Sequence, residues 1–367
     1  MKMKKHVFEE RHELKIERDE NRRLRRPARC SFADGYAARL NAEVTVSLFL
    51  RTFPSALLVV VGLIVLSTRL SAENVHSDPA DEAFFNKKDY ATALAIYEKA
   101  RNTASETNRR QERQRQTVMI IRCLTALNQQ DRAAREYYLL CRNDPFGAPL
   151  EYVPLPWFLP PGRALTATAT EKTATDWLSQ PHGLASPPGA LLASATLFVS
   201  RFPENRALGE EHLRRLASPL PPATGDRESE EIRKVRRDTA RLATAFLWRS
   251  QEIFKDGKQA EQEVAAREKL VSSLEEPLRA GPYFLLGETY SRLARNEESL
   301  LARMRVPILY PESRPLASKS LLEAARTLKK TGRPEQADRL YREIIETYPD
   351  FDWAVQEARK ALDGEQY

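Results

Sequence analysis

The stretch Lys87-Lys88-Asp89-Tyr90-Ala91-Thr92-Ala93-Leu94-Ala95-Ile96-Tyr97-Glu98-Lys99-Ala100 spaces small and large apolar residues as in a helix packed between neighbours. Ala93 lets an adjacent helix approach, Tyr97 fills the gap above it, and Ala100 closes the next turn. This is the pattern of the second helix of an antiparallel pair, and such a pair cannot bury its apolar face alone. The chain therefore reads as a helical-repeat scaffold, which holds other molecules.

Two further segments carry the same pattern on independent residues. In one, Ile120, Leu124, Ala133, Tyr137 and Pro145 occupy the packing positions, with Asn128 to Gln130 as the turn between two helices. In the other, Leu321, Ala324, Ala325, Leu328, Gly332, Ala337, Tyr341, Ile344 and Pro349 match almost position by position. Gly332 suits a tight interhelix turn, and Pro349 stops the second helix because it has no amide to donate. A weaker copy runs through Tyr283, Leu286, Gly287, Tyr290 and Pro311. There Arg303 replaces an aromatic residue, and Pro307 is expected to end or kink the second helix early. Helical spacing also covers Asp238 to Phe254 and Ala260 to Leu274. Phe202-Pro203-Glu204-Asn205-Arg206-Ala207-Leu208 and Tyr310-Pro311-Glu312-Ser313-Arg314-Pro315-Leu316 are alike and lie 108 residues apart, three units of 36. That spacing predicts one continuous stack of pairs over 191–367.

These residues resemble the tetratricopeptide-repeat family, and the aromatic-proline-acid endings are similar to those of its bacterial cell-envelope branch, which includes the Tol-Pal coordinator. The resemblance implies an all-α solenoid of antiparallel helix pairs, in two parts joined by a proline-rich segment. It also implies a concave surface lined by first helices, where a protein or peptide segment binds. Carried over position by position, the groove residues are Val118 and Arg122 in the second repeat, and Phe284, Glu288 and Arg292 in the third. In the last repeat they are Lys319, Leu322, Arg326, Lys329 and Lys330. The Lys and Asn with which chaperone-tail-binding members hold a terminal carboxylate are absent. A mainly basic groove end with apolar floor residues remains, suited to an acidic, partly apolar partner segment; Lys329 and Lys330 also read as helix-end charges.

The expected boundaries are a charged extension at 1–43, an apolar segment at 44–72, repeats at 79–145, a proline-rich linker at 146–190 and repeats at 191–367. The apolar core Ala56-Leu57-Leu58-Val59-Val60-Val61-Gly62-Leu63-Ile64-Val65-Leu66 follows Arg51 and precedes Leu70-Ser71-Ala72. This is the layout of a secretory signal cleaved before Glu73. An uncleaved anchor is the alternative, since the uncharged run reaches the short end of the membrane-spanning range. Either reading places the repeats outside the cytoplasm, in the periplasm or cell envelope. Glu73 stands where a lipoprotein needs Cys. Residues 1–43 lack apolar periodicity and read as a solvated tail. They are either a cytoplasmic tail obeying the positive-inside rule or sequence preceding a translation start near Val44 or Val46.

The net charge of +7 is concentrated early: residues 1–50 hold 12 Lys plus Arg against 8 Asp plus Glu, and the chain from Glu73 onward is nearly balanced. No electrostatic footprint for nucleic acid remains. Of the three cysteines, Cys123 and Cys141 fall on facing helices with an axial offset that makes a bridge strained, so two buried thiols are expected. The histidines are scattered, no glycine-rich phosphate loop or nucleophile elbow occurs, and adjacent carboxylates such as Glu275 and Glu276 point apart on a helix. The expectation is a nonenzymatic scaffold without cofactor or metal, with an envelope enzyme on an all-helical frame as the alternative. Residues 145–188 contain nine prolines, including Pro154-Leu155-Pro156-Trp157-Phe158-Leu159-Pro160-Pro161. They read as a linker with Trp157 and Trp177 packed down, or as a strap crossing the groove.

Overall fold

A computed structural model describes residues 78–103, 110–162, 168–218, 229–252 and 257–364. The charged extension and the apolar segment at 44–72 lie outside the described residues. From Asp78 onward the chain packs as one compact, all-α unit, and no helix among the described residues is long and apolar enough to cross a membrane.

The first pair consists of α1 (Pro79–Asp81), continued by a π-helical turn over Glu82–Asn86, and α2 (Tyr90–Thr103). The second consists of α3 (Arg110–Ala126) and α4 (Gln130–Asn143). After an extended strap come α5 (Thr168–Ser179), the short α6 (Pro181–Ala185), α7 (Pro187–Phe198), α8 (Pro203–Ala217), α9 (Glu230–Leu247) and α10 (Gly257–Ser273). The last pairs are α11 (Ala280–Arg292) with α12 (Asn296–Leu309) and α13 (Arg314–Lys330) with α14 (Pro334–Thr347), followed by α15 (Asp352–Leu362). Consecutive helices pack on one another from α11 to α15, the arrangement of a helical-repeat solenoid.

Four of the pairs close by the same device. Each uses a three-residue turn with a left-handed middle residue: Lys88 (φ 55°), Asn128 (φ 58°), Ala294 (φ 56°) and Gly332 (φ 76°). In three of them the next amide returns to the fifth carbonyl back, as Gln129 to Leu124, Arg295 to Tyr290 and Arg333 to Leu328. These bonds satisfy helix-end carbonyls that would otherwise lack partners. Gly332 plays the expected role, and the other three turns reach the same geometry with a side chain in place. Beneath the turns, Ala133, Tyr137, Ala337, Tyr341 and Ile344 are fully buried as their spacing predicts.

Two expectations are corrected. Pro307 does not end its helix at once: it lies inside α12, which continues two residues past it to Leu309. The 108-residue similarity does not mark a repeat length. Pro203 opens α8, the second helix of a pair, whereas Pro311 lies in the turn before α13, a first helix. The two segments share turn chemistry without sharing register, and the first helices begin at Pro187, Glu230, Ala280 and Arg314, unevenly spaced. Only the last interval approaches the ~34-residue period of the family.

The proline-rich segment is also more structured than its composition suggests. Its prolines form two clusters, and the proline-free stretch between them folds as α5, which buries Ala174, Trp177 and Leu178. One core cluster runs from Ala80 to Leu274 and includes this segment; the other runs from Ala245 to Ala361. The division between cores thus falls near the end of α9. Cys123 and Cys141 are buried free thiols, and burial pushes both up to about 12.

Candidate functional site

The strap after α4 packs against α9, α11 and α15. Arg249, almost fully buried, donates to the carbonyls of Leu159 and Trp157 at 2.6 Å each. Glu288 orients that guanidinium with bonds of 2.9 Å from Nε and Nη2. The Trp157 ring stacks on Phe246 with centroids 4.1 Å apart and lies over Gly281, where a Cβ would overlap it. Phe158 stacks on Trp353 of α15 at 6.0 Å, and the Lys319 ammonium sits 5.7 Å from the same Trp353 ring. Glu288 and Lys319, two positions assigned to the groove, therefore hold or flank the chain's own strap. Trp177 is buried against Tyr138 at 4.8 Å. The segment is packed down, as the linker reading expects, and it lies against Glu288 and Lys319, two of the positions assigned to the groove.

The other assigned positions are dispersed among structural tasks. Phe284 and Leu322 are closed into the core, 1% and 0% exposed, so neither offers a surface. Both sit on first helices, but their faces are covered. Arg292 donates to the carbonyls of Trp248 and Gln251 beyond the end of α9. Lys319 pairs with Glu323 at 3.0 Å, and Arg326 pairs with Glu323 and with Glu357 of α15. Those cations lower the Glu323 carboxyl against the opposing effect of burial. Lys329 and Lys330 are exposed in the last turn of α13, where positive charge meets the helix dipole. Arg303 buries a long stem against Gly287 and donates to the Glu323 carbonyl and Thr327 hydroxyl. It takes the place of the expected aromatic by bonding to the next helix.

Arg122 is different. It lines a cavity of 540 Å³ bounded by α1, α3, the strap and the turn before α13. Its guanidinium carbon lies 4.7 Å from the Phe84 ring, 5.3 Å from Phe85 and 5.3 Å from Tyr152. Across the cavity, Arg314 sits 5.3 Å from Tyr90 and 5.4 Å from Tyr348, and donates to Asp350 at 2.8 Å. These contacts, with the packing of α3 on α13, bring the first and second pairs against the last and border the space. The resemblance carries Arg122 over as a groove position but says nothing of these rings, which come from the turn after α1 and from the strap, on both sides of α3 in the chain.

Among the described residues no group of three or more His, Cys, Asp or Glu side chains forms a metal site. The sequence model of the tetratricopeptide repeat matches residues 319–350, which span most of α13, all of α14 and the turn that follows. Repeats of this type serve as protein-interaction scaffolds. No curated protein matches this chain.

Proposed function

We propose that the chain is a nonenzymatic adaptor of a bacterial-type cell envelope that holds an acidic, partly apolar segment of a partner protein on its inner face. The observation that carries this reading is the open cavity beside Arg122. The strap packs beside positions assigned to the groove, which supports this cavity as the space that receives a partner. Its walls are mainly apolar and aromatic, with a few polar groups to orient an occupant, as binding pockets generally are.

The envelope assignment rests on the apolar run Ala56 to Leu66 and the small residue Ala72. N-terminal sequencing of the mature protein is expected to begin at or near Glu73, or the full-length chain to fractionate with membranes as an anchored protein. A full-length soluble cytoplasmic product contradicts both. Binding is tested by affinity capture from cells with the full chain and with Thr125→Trp, which fills the cavity from α3. A partner lost with the filled cavity supports the proposal. Equal capture by both folded proteins, or recovery of a turned-over small molecule, contradicts it.

A further inference from the structure

A guanidinium carries five N–H donors in its plane and none on its faces. The Arg122 guanidinium carbon lies within 5.3 Å of three aromatic ring centres, while Nη1 makes a long contact of 3.6 Å to the Met119 sulfur. Among the described residues it has no oxygen acceptor and no carboxylate partner. By contrast, Arg101, Arg249, Arg267, Arg295, Arg314 and Arg333 each pair with a carboxylate. A half-buried cation held by rings alone is partly desolvated, and it gains from any anion that reaches its edge.

The cavity carries other charges as well. Lys88 is exposed on the wall, and Arg314 is already matched by Asp350 outside the cavity. Glu151 and Glu312 also line the space, and their repulsion of a ligand, like the attraction of Arg122, grows in proportion to its charge. Much of the remaining wall is apolar, including Phe84, Phe85, Leu150, Leu155, Trp157 and Phe158.

We infer that the cavity binds a single carboxylate carried on an apolar or aromatic body, with Arg122 receiving the carboxylate in the plane of its guanidinium. The rings hold that plane in place before the ligand arrives, which reduces the ordering cost of binding. The carboxylate comes either from a peptide or from a free organic acid of similar shape. The inference rests on the reading of this cavity as a ligand site.

The test titrates the full chain by calorimetry with four probes. They are a capped leucine-glutamate-phenylalanine tripeptide, its glutamine counterpart, 3-phenylpropionate and 3-phenylpropionamide. At least one acid is expected to bind about tenfold or more tightly than its neutral partner, and that ratio is expected to fall to near one in Arg122→Gln. Arg122→Lys, which keeps charge but loses the planar edge, is expected to retain an intermediate ratio. Wild-type ratios near one, no binding by any probe, or a ratio unchanged in folded Arg122→Gln overturn the inference. If the neutral tripeptide binds as well as the acidic one, the cavity remains a segment site and the carboxylate assignment falls. If only phenylpropionate binds, the carboxylate assignment stands and the partner-segment reading falls.

Discussion

The guanidinium carbon of Arg314 lies 5.3 Å from the centre of the Tyr90 ring, and through this contact the last complete helix pair reaches the first. Arg314 is 8% exposed and also faces Tyr348 and Phe351, while Asp350 holds one end of its plane. A solenoid whose neighbours alone touch needs no such contact. Arg314→Ala is therefore expected to cost about 1–3 kcal/mol, from lost ring contacts and a lost charge-assisted bond. Urea unfolding measures it, and a Tyr90→Leu cycle isolates the seam: additive effects would mean that the ends do not support each other.

The strap makes a prediction that changes sign. In a helix, alanine in place of glycine normally stabilises by about 1 kcal/mol. At Gly281 the added Cβ overlaps the Trp157 ring, so Gly281→Ala is expected to destabilise and to shift tryptophan fluorescence. In a Trp157→Ala background the same change is expected to stabilise. Stabilisation in both backgrounds would place Trp157 elsewhere.

Ala337 is fully buried at the contact between α13 and α14. Ala337→Leu forces these helices apart and is expected to cost about 1–3 kcal/mol. Thermal unfolding gives the comparison, and an unchanged midpoint would contradict the register of the last pair. Ala294, by contrast, holds φ 56° in an exposed turn. Ala294→Gly relieves that strain and is expected to stabilise by about 0.5–1 kcal/mol after the entropy of glycine is subtracted.

Buried acids make the fold sensitive to alkali. Cys123 and Cys141 are pushed up to about 12 by burial, against about 8.5 in an unfolded chain. Burial likewise pushes Tyr310 and Tyr348 up to about 12. Below pH ~8.5 the thiols are protonated in both states and their contribution is fully present; as pH rises toward 12 the unfolded chain ionises first and stability is lost. The urea midpoint is expected to fall from pH 8 to pH 11. A flat profile would mean that these groups are exposed.

Local packing was legible in the sequence wherever one residue type has one task. Alanine at a helix crossing, tyrosine filling the gap beside it and Gly332 in a tight turn each declare themselves by spacing, which is why α3 with α4 and α13 with α14 were readable. α5 was hidden because its composition is mostly threonine, alanine and charge, and because flanking prolines dominated the segment. α7 is buried on nearly all sides, so its apolar residues show no amphipathic period. The site depended on distant pairings. Nothing near Arg249 announces that it will hold carbonyls some 90 residues earlier, and the rings around Arg122 are assembled only when α1 and the strap fold against α3.

A partner that enters the cavity beside Arg122 is detected by crosslinking in cells. A photoreactive side chain is placed at Gln130, on the cavity wall, or at Leu301, which is 63% exposed on α12 and does not line the cavity. A discrete crosslinked partner is expected from Gln130 and lost when Arg122→Gln is added, and none is expected from Leu301. A partner captured from Leu301 but not from Gln130 would contradict entry into the cavity.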